Sequence, residues 1–516
     1  MIKQPPQQAS TRVAFNTMIL YLKVLLTGGI SLYSVRLVLY ALGASDFGIF
    51  SLIAGTTAML SFLNSAMTTS TQRYLSFHQG IGDKEMQKKI FTNSWVLHIV
   101  VGIIVVGALL ALAPFLFNGF LNIPADRIST AKTVYYFKSV SVFFTIISVP
   151  FTASLIAREN MLWIAVVTIM ESVLRLGIAL SLVWFIQTER LAMYGLFMAL
   201  LSIVTFLLYA VFCLKKYDEC NVRSYRISKP LIKELGSFAG WNMFGAFSIL
   251  GRTQGLAIIL NVFLGTVINA AYGITIQIAS TVFSFAQSMP RAIKPQIMQS
   301  EGKNDRQRML RLSMMASKFG FFLLALMTIP IIFEMSAILE LWLNNVPNYT
   351  VIFVSLFLIA TLVKQTTIGL HAAILATGKI KAFQMIVGGI RLLNLPIAYL
   401  LLKLEFPPYS VLICVIATEF ATCIFVLFLS KMKTGLSIKE YFERVILKEI
   451  IPLLSIIATC WIVTRYLETD FRFLITGMSS MAVFSFFVYF TGLCKDEKVL
   501  INSLLKKIIA KFYPKD

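Results

Sequence analysis

The sequence predicts an all-α integral membrane protein with about 14 transmembrane helices, because a bilayer core of about 30 Å is crossed by a helix of roughly 20 apolar residues. Hydrophobic residues make up 58% of the 516 residues, and charged residues make up only 14%. Soluble domains carry about 25% charged residues and do not repeat long apolar runs. The runs are also too long for barrel strands, so we predict helical spans throughout.

The apolar runs form two sets on either side of a polar segment at residues 215–233. The first set predicts helices at residues 14–42, 46–77, 90–117, 131–156, 162–187 and 191–214. The second set predicts helices at residues 232–263, 267–292, 310–334, 350–376, 380–402, 409–430, 446–466 and 471–493.

The distribution of basic residues predicts the orientation. Most of the 46 Lys and Arg residues lie in the termini or in the loops on the same side as the termini. The opposite loops contain only Arg127, Lys132, Lys138, Arg190, Lys403, Arg465 and Arg472. Because cytoplasmic loops are enriched in Lys and Arg, both termini are predicted to be cytoplasmic. The net charge of +22 then indicates contact with anionic membrane lipids, and nucleic acid is not an expected partner.

The cysteines and histidines do not form a chemical site in the sequence. The six cysteines are scattered without CxxC spacing, and His78, His98 and His371 are isolated from one another. This pattern predicts no metal site, no disulfide framework and no cofactor. The polar first 13 residues and the long apolar run after them predict an uncleaved first helix.

An internal repeat predicts the domain organisation. Leu42-Gly43 recurs as Leu264-Gly265, and the loop "QGIGDKEMQ" from Gln79 recurs as "QSEGKNDRQ" from Gln299. Such repeats are typical of transporter folds. We predict two pseudo-symmetric six-helix lobes around a central cationic cavity. The expected domains are an N-lobe (1–215), a cytoplasmic linker (216–231), a C-lobe (232–430), and two further helices with a cytoplasmic tail (431–516).

Charged residues inside the predicted spans are mostly basic. The cations are Lys23, Arg36, Arg73, Arg175, Arg252, Lys364 and Arg391, whereas Glu171 and Glu419 are the only carboxylates well inside spans. Each cation either extends to the interface, pairs with an acid or contributes to a site. Arg175 has Glu171 at i−4 on the same helix face, so a structural ion pair and a ligand site both remain open.

Arg36, in "SLYSVRLVLYALG", is the cation that is hardest to explain structurally. An arginine at the centre of a span costs roughly 2.5–3.5 kcal/mol on insertion scales. Its neighbours at i±3 and i±4 are Leu32, Tyr33, Leu39 and Tyr40, none of them acidic. Extension to the interface remains open, but an excess of unpaired cations favours a cavity for an anionic substrate. Arginine suits phosphate, because its planar fork donates two hydrogen bonds at once.

Six segments of the sequence carry a resemblance to a known family. They are the helix of Arg36, "LGASDFGIF" from Leu42, "QRYLSF" from Gln72, the "ARENM" turn from Ala157, "AYGI" from Ala271 and "MPRAIKPQI" from Met289. These segments resemble polysaccharide-biosynthesis flippases of the Wzx type, within the multidrug/oligosaccharidyl-lipid/polysaccharide (MOP) exporter superfamily. The resemblance covers most of the chain and is weakest over the last two predicted helices.

The resemblance implies a flippase of the bacterial inner membrane, not an enzyme. Such proteins carry an undecaprenyl-diphosphate-linked oligosaccharide, such as an O-antigen repeat unit, from the inner to the outer leaflet by alternating access. Expected partners are this lipid-linked oligosaccharide, membrane lipids, other polysaccharide assembly proteins, and H⁺ or Na⁺. The residues expected to bind the diphosphate are Arg36, Arg73, Arg175, Arg252, Arg291, Lys294 and Arg391. Ion coupling would fall to Asp46, Glu171 or Glu419.

The sequence leaves two alternatives to the flippase. A MATE-like multidrug exporter coupled to H⁺ or Na⁺ would be expected to carry unpaired carboxylates, and few are available. A membrane-embedded polymerase or glycosyltransferase would be expected to have a large outer loop or paired catalytic acids. The longest predicted outer loop, residues 333–349, offers only Glu334 and Glu340, so the enzyme is disfavoured.

Overall fold

A computed structural model of the chain describes residues 6–502 except 59–60, 122, 222–226, 344–345, 470 and 500. Every regular element within these residues is helical, as the sequence predicted. The chain divides into two compact units. The N-unit comprises residues 18–243, and the C-unit comprises residues 244–516 together with 1–17.

The N-unit is built from seven helices, the first of them without its residues 6–17, and the beginning of an eighth. They are α1 (Pro6–Ala58), α2 (Ser61–Ile81), α3 (Lys84–Phe115), α4 (Ile128–Ile147), α5 (Val149–Ala157), α6 (Met161–Trp184), α7 (Arg190–Lys216) and the first part of α8 (Lys229–Ala286). Its core includes Val134, Tyr135 and Leu182. The hydroxyl of Tyr135 donates to the carbonyl of Leu109 at 2.8 Å, so this buried polar group ties α4 to α3.

The C-unit continues with the rest of α8 and ten further helices. They are α9 (Ser288–Gly302), α10 (Arg306–Phe333), α11 (Met335–Trp342), α12 (Thr350–Gln365), α13 (Ile368–Ala376), α14 (Lys381–Lys403), α15 (Ser410–Thr434), α16 (Ile438–Tyr441), α17 (Leu447–Tyr466) and α18 (Arg472–Phe487). One of its cores joins α10 to α17 and α18 through Phe322, Ile456 and Phe484. Arg472 adds a bidentate ion pair with buried Glu334 at 3.1–3.2 Å.

Helices α3 and α10 begin with the same capping chemistry, in the two loops that the sequence repeat aligned. Asp83 accepts a hydrogen bond from the backbone N–H of Met86 at 2.9 Å. Asp305 accepts one from the backbone N–H of Arg308 at 3.0 Å. Such caps satisfy backbone donors that a helix leaves free at its start. Both repeated loops therefore end in an aspartate cap, although the two caps are two positions apart in the alignment.

Two glycines of the repeat have the same unusual backbone conformation. Gly43 bends α1 with φ 74° and ψ 169°, and Gly265 bends α8 with φ 77° and ψ −172°. Residues with a Cβ rarely adopt positive φ in this range. In each unit a glycine thus redirects the chain without an intervening loop.

The predicted count of fourteen spans is not confirmed. The described residues contain 11 helices long and apolar enough to cross a membrane, or 12 when α12 and α13, bent by 42°, are one span. The predicted helices at residues 46–77 and 267–292 account for the difference. The predicted helix at 46–77 is divided between a short apolar helix, Ser45–Gly55, and the polar helix α2. The predicted helix at 267–292 is the continuation of α8 beyond the bend at Gly265. The predicted boundaries near Gly43 and Gly265 coincide with bends in the structure, so the difference in count comes from the length and polarity of the segments on either side.

The predicted linker is held at both ends, although residues 222–226 lie outside the described residues. Glu219 accepts two hydrogen bonds of 2.7 Å from Arg158. Burial of Arg158 lowers its pKa, but the hydrogen bonds and charge of Glu219 outweigh burial and raise it overall. The backbone N–H of Ser228 donates to Asn93 of α3 at 2.7 Å. The end of the predicted tail, residues 503–516, also lies outside the described residues.

We expect Gly265→Ala to destabilise the protein by about 1–2 kcal/mol, because the new Cβ must be held at positive φ. Gly273→Ala is the matched control. Gly273 lies in the same helix, has helical φ and has open space where the Cβ would lie. The control should be neutral or slightly stabilising. Thermal unfolding in one detergent measures both variants, and equal unfolding temperatures would contradict the role of Gly265.

Candidate functional site: a buried cationic cluster

The C-unit buries a carboxylate between two arginines that come from different helices. Nη1 of Arg252 on α8 lies 2.6 Å from Oε1 of Glu419 on α15, and Nε of Arg391 on α14 lies 3.6 Å from the same oxygen. The exposed fractions of Arg252, Arg391 and Glu419 are 6%, 4% and 2%. Three helices therefore meet at one ion-paired group. We call this group, together with Lys364 and His371, the buried cationic cluster.

Lys364 is a third cation of this cluster. Its Nζ lies 4.5 Å from the ring centroid of Phe283, a cation–π geometry. It forms no ion pair with any described residue, although the charges of Arg252, Arg391 and Glu419 all act on it. Lys364 is in the last turn of α12, where the partial negative charge of the helix end favours a cation.

Two backbone carbonyls and one backbone N–H at the helix break beside Lys364 have hydrogen-bond partners. Where α12 ends, Cys423 donates its Sγ hydrogen to the carbonyl of Val363 at 3.2 Å. The hydroxyl of Tyr441 donates to the carbonyl of Thr366, and the backbone N–H of Gly369 donates to Oγ of Ser317 at 3.0 Å. Discontinuous helices of this kind often form transporter binding sites.

The cluster has more hydrogen-bonding capacity than its described neighbours use. Nε and Nη2 of Arg391 and Oε2 of Glu419 are buried without a hydrogen-bond partner among the described residues. Nε2 of His371, whose ring packs on Phe383 at 5.1 Å, is also without one. Three cations against one carboxylate leave an excess of positive charge. The chemistry of this arrangement is suited to an anion that accepts hydrogen bonds.

The predicted site residues of the N-unit lie in different surroundings. Arg175 pairs with Glu171 at 2.9 Å along one helix, with exposed fractions of 39% and 31%. Arg73 is buried, with its guanidinium carbon 4.6 Å from the ring centroids of Tyr74 and Phe77. The structure therefore places Arg175 in an ion pair and Arg73 in an aromatic environment.

Arg36 lies on α1 with its side chain exposed, and it forms no ion pair with a described residue. Arg291 and Lys294 lie together on α9, where Arg291 is exposed and Lys294 is partly buried. Asp46, a predicted coupling residue, is buried and lies 3.3 Å from Nε of Arg127. Each of the three predicted coupling acids thus has an arginine partner in the structure.

A second buried charge cluster was missed by the sequence analysis. Lys318 on α10 is 1% exposed, and its Nζ donates to Oε2 of Glu497 at 2.6 Å. Glu449 on α17 is also buried, with its Oε1 unpartnered among the described residues. Glu497 lies outside the predicted spans and Glu449 lies near the start of one, so the sequence did not indicate either as a buried acid. Lys318 and Glu497 are 179 residues apart, so no local spacing in the sequence indicates their pair.

We expect Glu419→Gln to cost about 3–5 kcal/mol of unfolding free energy, because it leaves buried arginines without a counter-charge. Glu171→Gln makes the same chemical change in a partly exposed pair within one helix, where the loss should be below about 1 kcal/mol. Denaturant unfolding of both variants in the same detergent checks the difference. Equal losses would show that Glu419 is not the main counter-charge of the cluster.

Comparison with known proteins yields similarity at the level of fold. No protein-family model matches the sequence, and neither does any curated protein. A MATE solved in a bent conformation has a TM-score of 0.74 at 13% identity, covering 84% of this chain and 98% of that one. An outward-facing multidrug resistance MATE transporter of the MOP superfamily has a TM-score of 0.71 at 14% identity, covering 84% and 97%.

A third similar structure is a MOP superfamily transporter from Pyrococcus furiosus, with a TM-score of 0.72 at 14% identity, again covering 84% of this chain and 97% of that one. That protein is described as having a binding pocket of reversed polarity that suggests a different function. The chain studied here thus has the fold of MATE transporters of the MOP superfamily.

Proposed function

We propose that the protein is a flippase for an undecaprenyl-diphosphate-linked oligosaccharide in the bacterial inner membrane. The observation that carries this proposal is the charge of the buried cationic cluster. Moving a diphosphate through hydrocarbon without counter-charge is prohibitive. Arg252, Lys364 and Arg391 supply that charge, and Arg391 has two nitrogens without a described hydrogen-bond partner.

The ion pairs of the cluster suggest how substrate binding is coupled to an ion. In the structure, the carboxylate of Glu419 is ion-paired with the guanidinium groups of Arg252 and Arg391. A diphosphate that takes these donors displaces the carboxylate, which then binds H⁺ or Na⁺ to avoid an unpaired buried charge. Release of the diphosphate restores the ion pairs and expels the cation. Glu419 is the acid through which this exchange passes.

Cation export is the second candidate function, and the fold itself favours it. Structures of the same fold include a multidrug resistance MATE transporter. A cationic drug, however, would meet three cations and one paired carboxylate in the cluster. The excess positive charge therefore favours the anionic substrate over the drug.

Complementation tests the proposal. In a strain that lacks its lipid-linked oligosaccharide flippase, we expect the wild-type chain to restore surface glycan. Arg391→Gln should reduce it about tenfold or more, the effect of losing a charge-assisted hydrogen bond of roughly 1.5–3 kcal/mol. Lys403→Gln is the matched control, since Lys403 is exposed at the far end of the same helix.

The same strains distinguish the two functions. Membrane abundance is measured by immunoblot, and resistance to cationic drugs is measured in a host without its own exporters. Full glycan with Arg391→Gln would refute the role of the cluster. Drug resistance without any restoration of glycan would establish the exporter instead.

Arg36→Ala gives an independent prediction for the N-unit. Because Arg36 is exposed and has no ion-pair partner among the described residues, its removal should not lower membrane abundance. We expect surface glycan to be lost in the same assay, because the side chain is a counter-charge for the moving diphosphate. Arg36→Lys should restore part of the activity by retaining the charge without the planar fork. Normal glycan with Arg36→Ala would assign Arg36 to the membrane interface.

A further inference from the structure

The outer surface of the N-unit has an apolar groove beside the ends of two helices. Its volume is about 570 Å³, and it is lined by Trp163 of α6 and by α7 residues between Val204 and Lys216. Val204, Leu207 and Val211 lie at i, i+3 and i+7, which places them on one helix face. Their exposed fractions are 41%, 48% and 46%. Lys215 continues the same face at i+11.

The length of the groove matches one half of a bilayer. From Val204 to Lys215, α7 rises roughly 16 Å at about 1.5 Å per residue. Half of a hydrocarbon core of about 30 Å has the same depth. A single acyl chain therefore fits along this face, with its headgroup at the lysine end.

The lysine end of the groove has the polar groups that a phosphate needs. Lys215 and Lys216 are exposed and form no ion pair with a described residue. Nζ of Lys216 lies 5.1 Å from the ring centroid of Phe212, on which Trp163 stacks at 4.2 Å with an interplanar angle of 12°. The buried indole N–H of Trp163 has no hydrogen-bond partner among the described residues.

We propose that this groove is a binding site for an anionic phospholipid. The acyl chain lies along α7, and the headgroup phosphate accepts hydrogen bonds from Lys215, Lys216 and the indole N–H of Trp163. Charge complementarity selects the anionic lipid, because these lysines are on the side where the sequence concentrates Lys and Arg, and where membrane surfaces are anionic. This site is separate from the buried cationic cluster and does not depend on the proposed function.

Native mass spectrometry of the full-length protein tests the proposal. The purified chain is titrated with phosphatidylglycerol and, separately, with phosphatidylcholine of the same acyl composition. We expect wild type to retain one phosphatidylglycerol at concentrations where phosphatidylcholine is lost. The double variant Lys215→Gln/Lys216→Gln should bind phosphatidylglycerol at least about fivefold more weakly, a change of about 1 kcal/mol.

A matched double variant controls for general charge effects. Lys431→Gln/Lys433→Gln removes the same charge from the end of α15 and should retain the tightly bound lipid. Trp163→Phe, which deletes the indole N–H and keeps an aromatic ring for stacking, should weaken binding on its own. Leu207→Trp, which fills the groove and keeps both lysines, should also weaken it.

Several outcomes would overturn the site. Equal binding of the two lipids would show that the headgroup is not recognised. Equal losses in the two double variants would show only general attraction of lipid to positive charge. Displacement of the adduct by millimolar inorganic phosphate would identify a phosphate site without lipid selectivity. If the double lysine variant does not fold, unchanged lipid binding by both Trp163→Phe and Leu207→Trp would refute the proposal.

Discussion

The need to neutralise charge away from water governs the C-unit. Glu419 satisfies this need for Arg252 on one helix and Arg391 on another, with Nη1 and Nε at 2.6 and 3.6 Å. An isolated ion of either sign would be costly in this position, so the three helices that carry these residues are held in one register. The contact is also incomplete, because hydrogen-bonding atoms of Arg391 and Glu419 have no partner among the described residues. A cluster that is stable but incompletely satisfied is suited to exchanging partners.

The repeat is preserved in the backbone more closely than in its charges. Gly43 and Gly265 have the same positive φ, and Asp83 and Asp305 cap corresponding helices. The charged residues differ: the pair of Glu171 with Arg175 in the N-unit lies within one helix, whereas Glu419 of the C-unit pairs with arginines of two other helices. The bends and caps thus recur in both units, and these ion pairs do not.

Much of the architecture follows from local patterns in the sequence. Hydropathy predicts helical spans, and the i−4 spacing places Arg175 and Glu171 on one helix face, where the structure pairs them. The pair of Arg252 with Glu419 spans 167 residues of sequence, and that of Lys318 with Glu497 spans 179. Such contacts depend on how helices pack, which hydropathy and spacing do not specify. The boundaries predicted near Gly43 and Gly265 agree with the bends that the structure has at these glycines.

Lys364 lies at the helix break between α12 and α13, and its surroundings differ from those of the two arginines of the cluster. A cation that pairs with a carboxylate must lose that contact before it can bind an anion, which reduces the net gain. Lys364 is instead stabilised by the ring of Phe283 and by the end of α12, and neither interaction uses a formal negative charge. The carbonyls released by the break are satisfied by Cys423 and Tyr441, so they do not compete for the ammonium group. At the break Lys364 therefore forms no ion pair with a described residue, while Glu419 pairs with the two arginines beside it. On the proposed function, this leaves the ammonium group available to the anionic substrate.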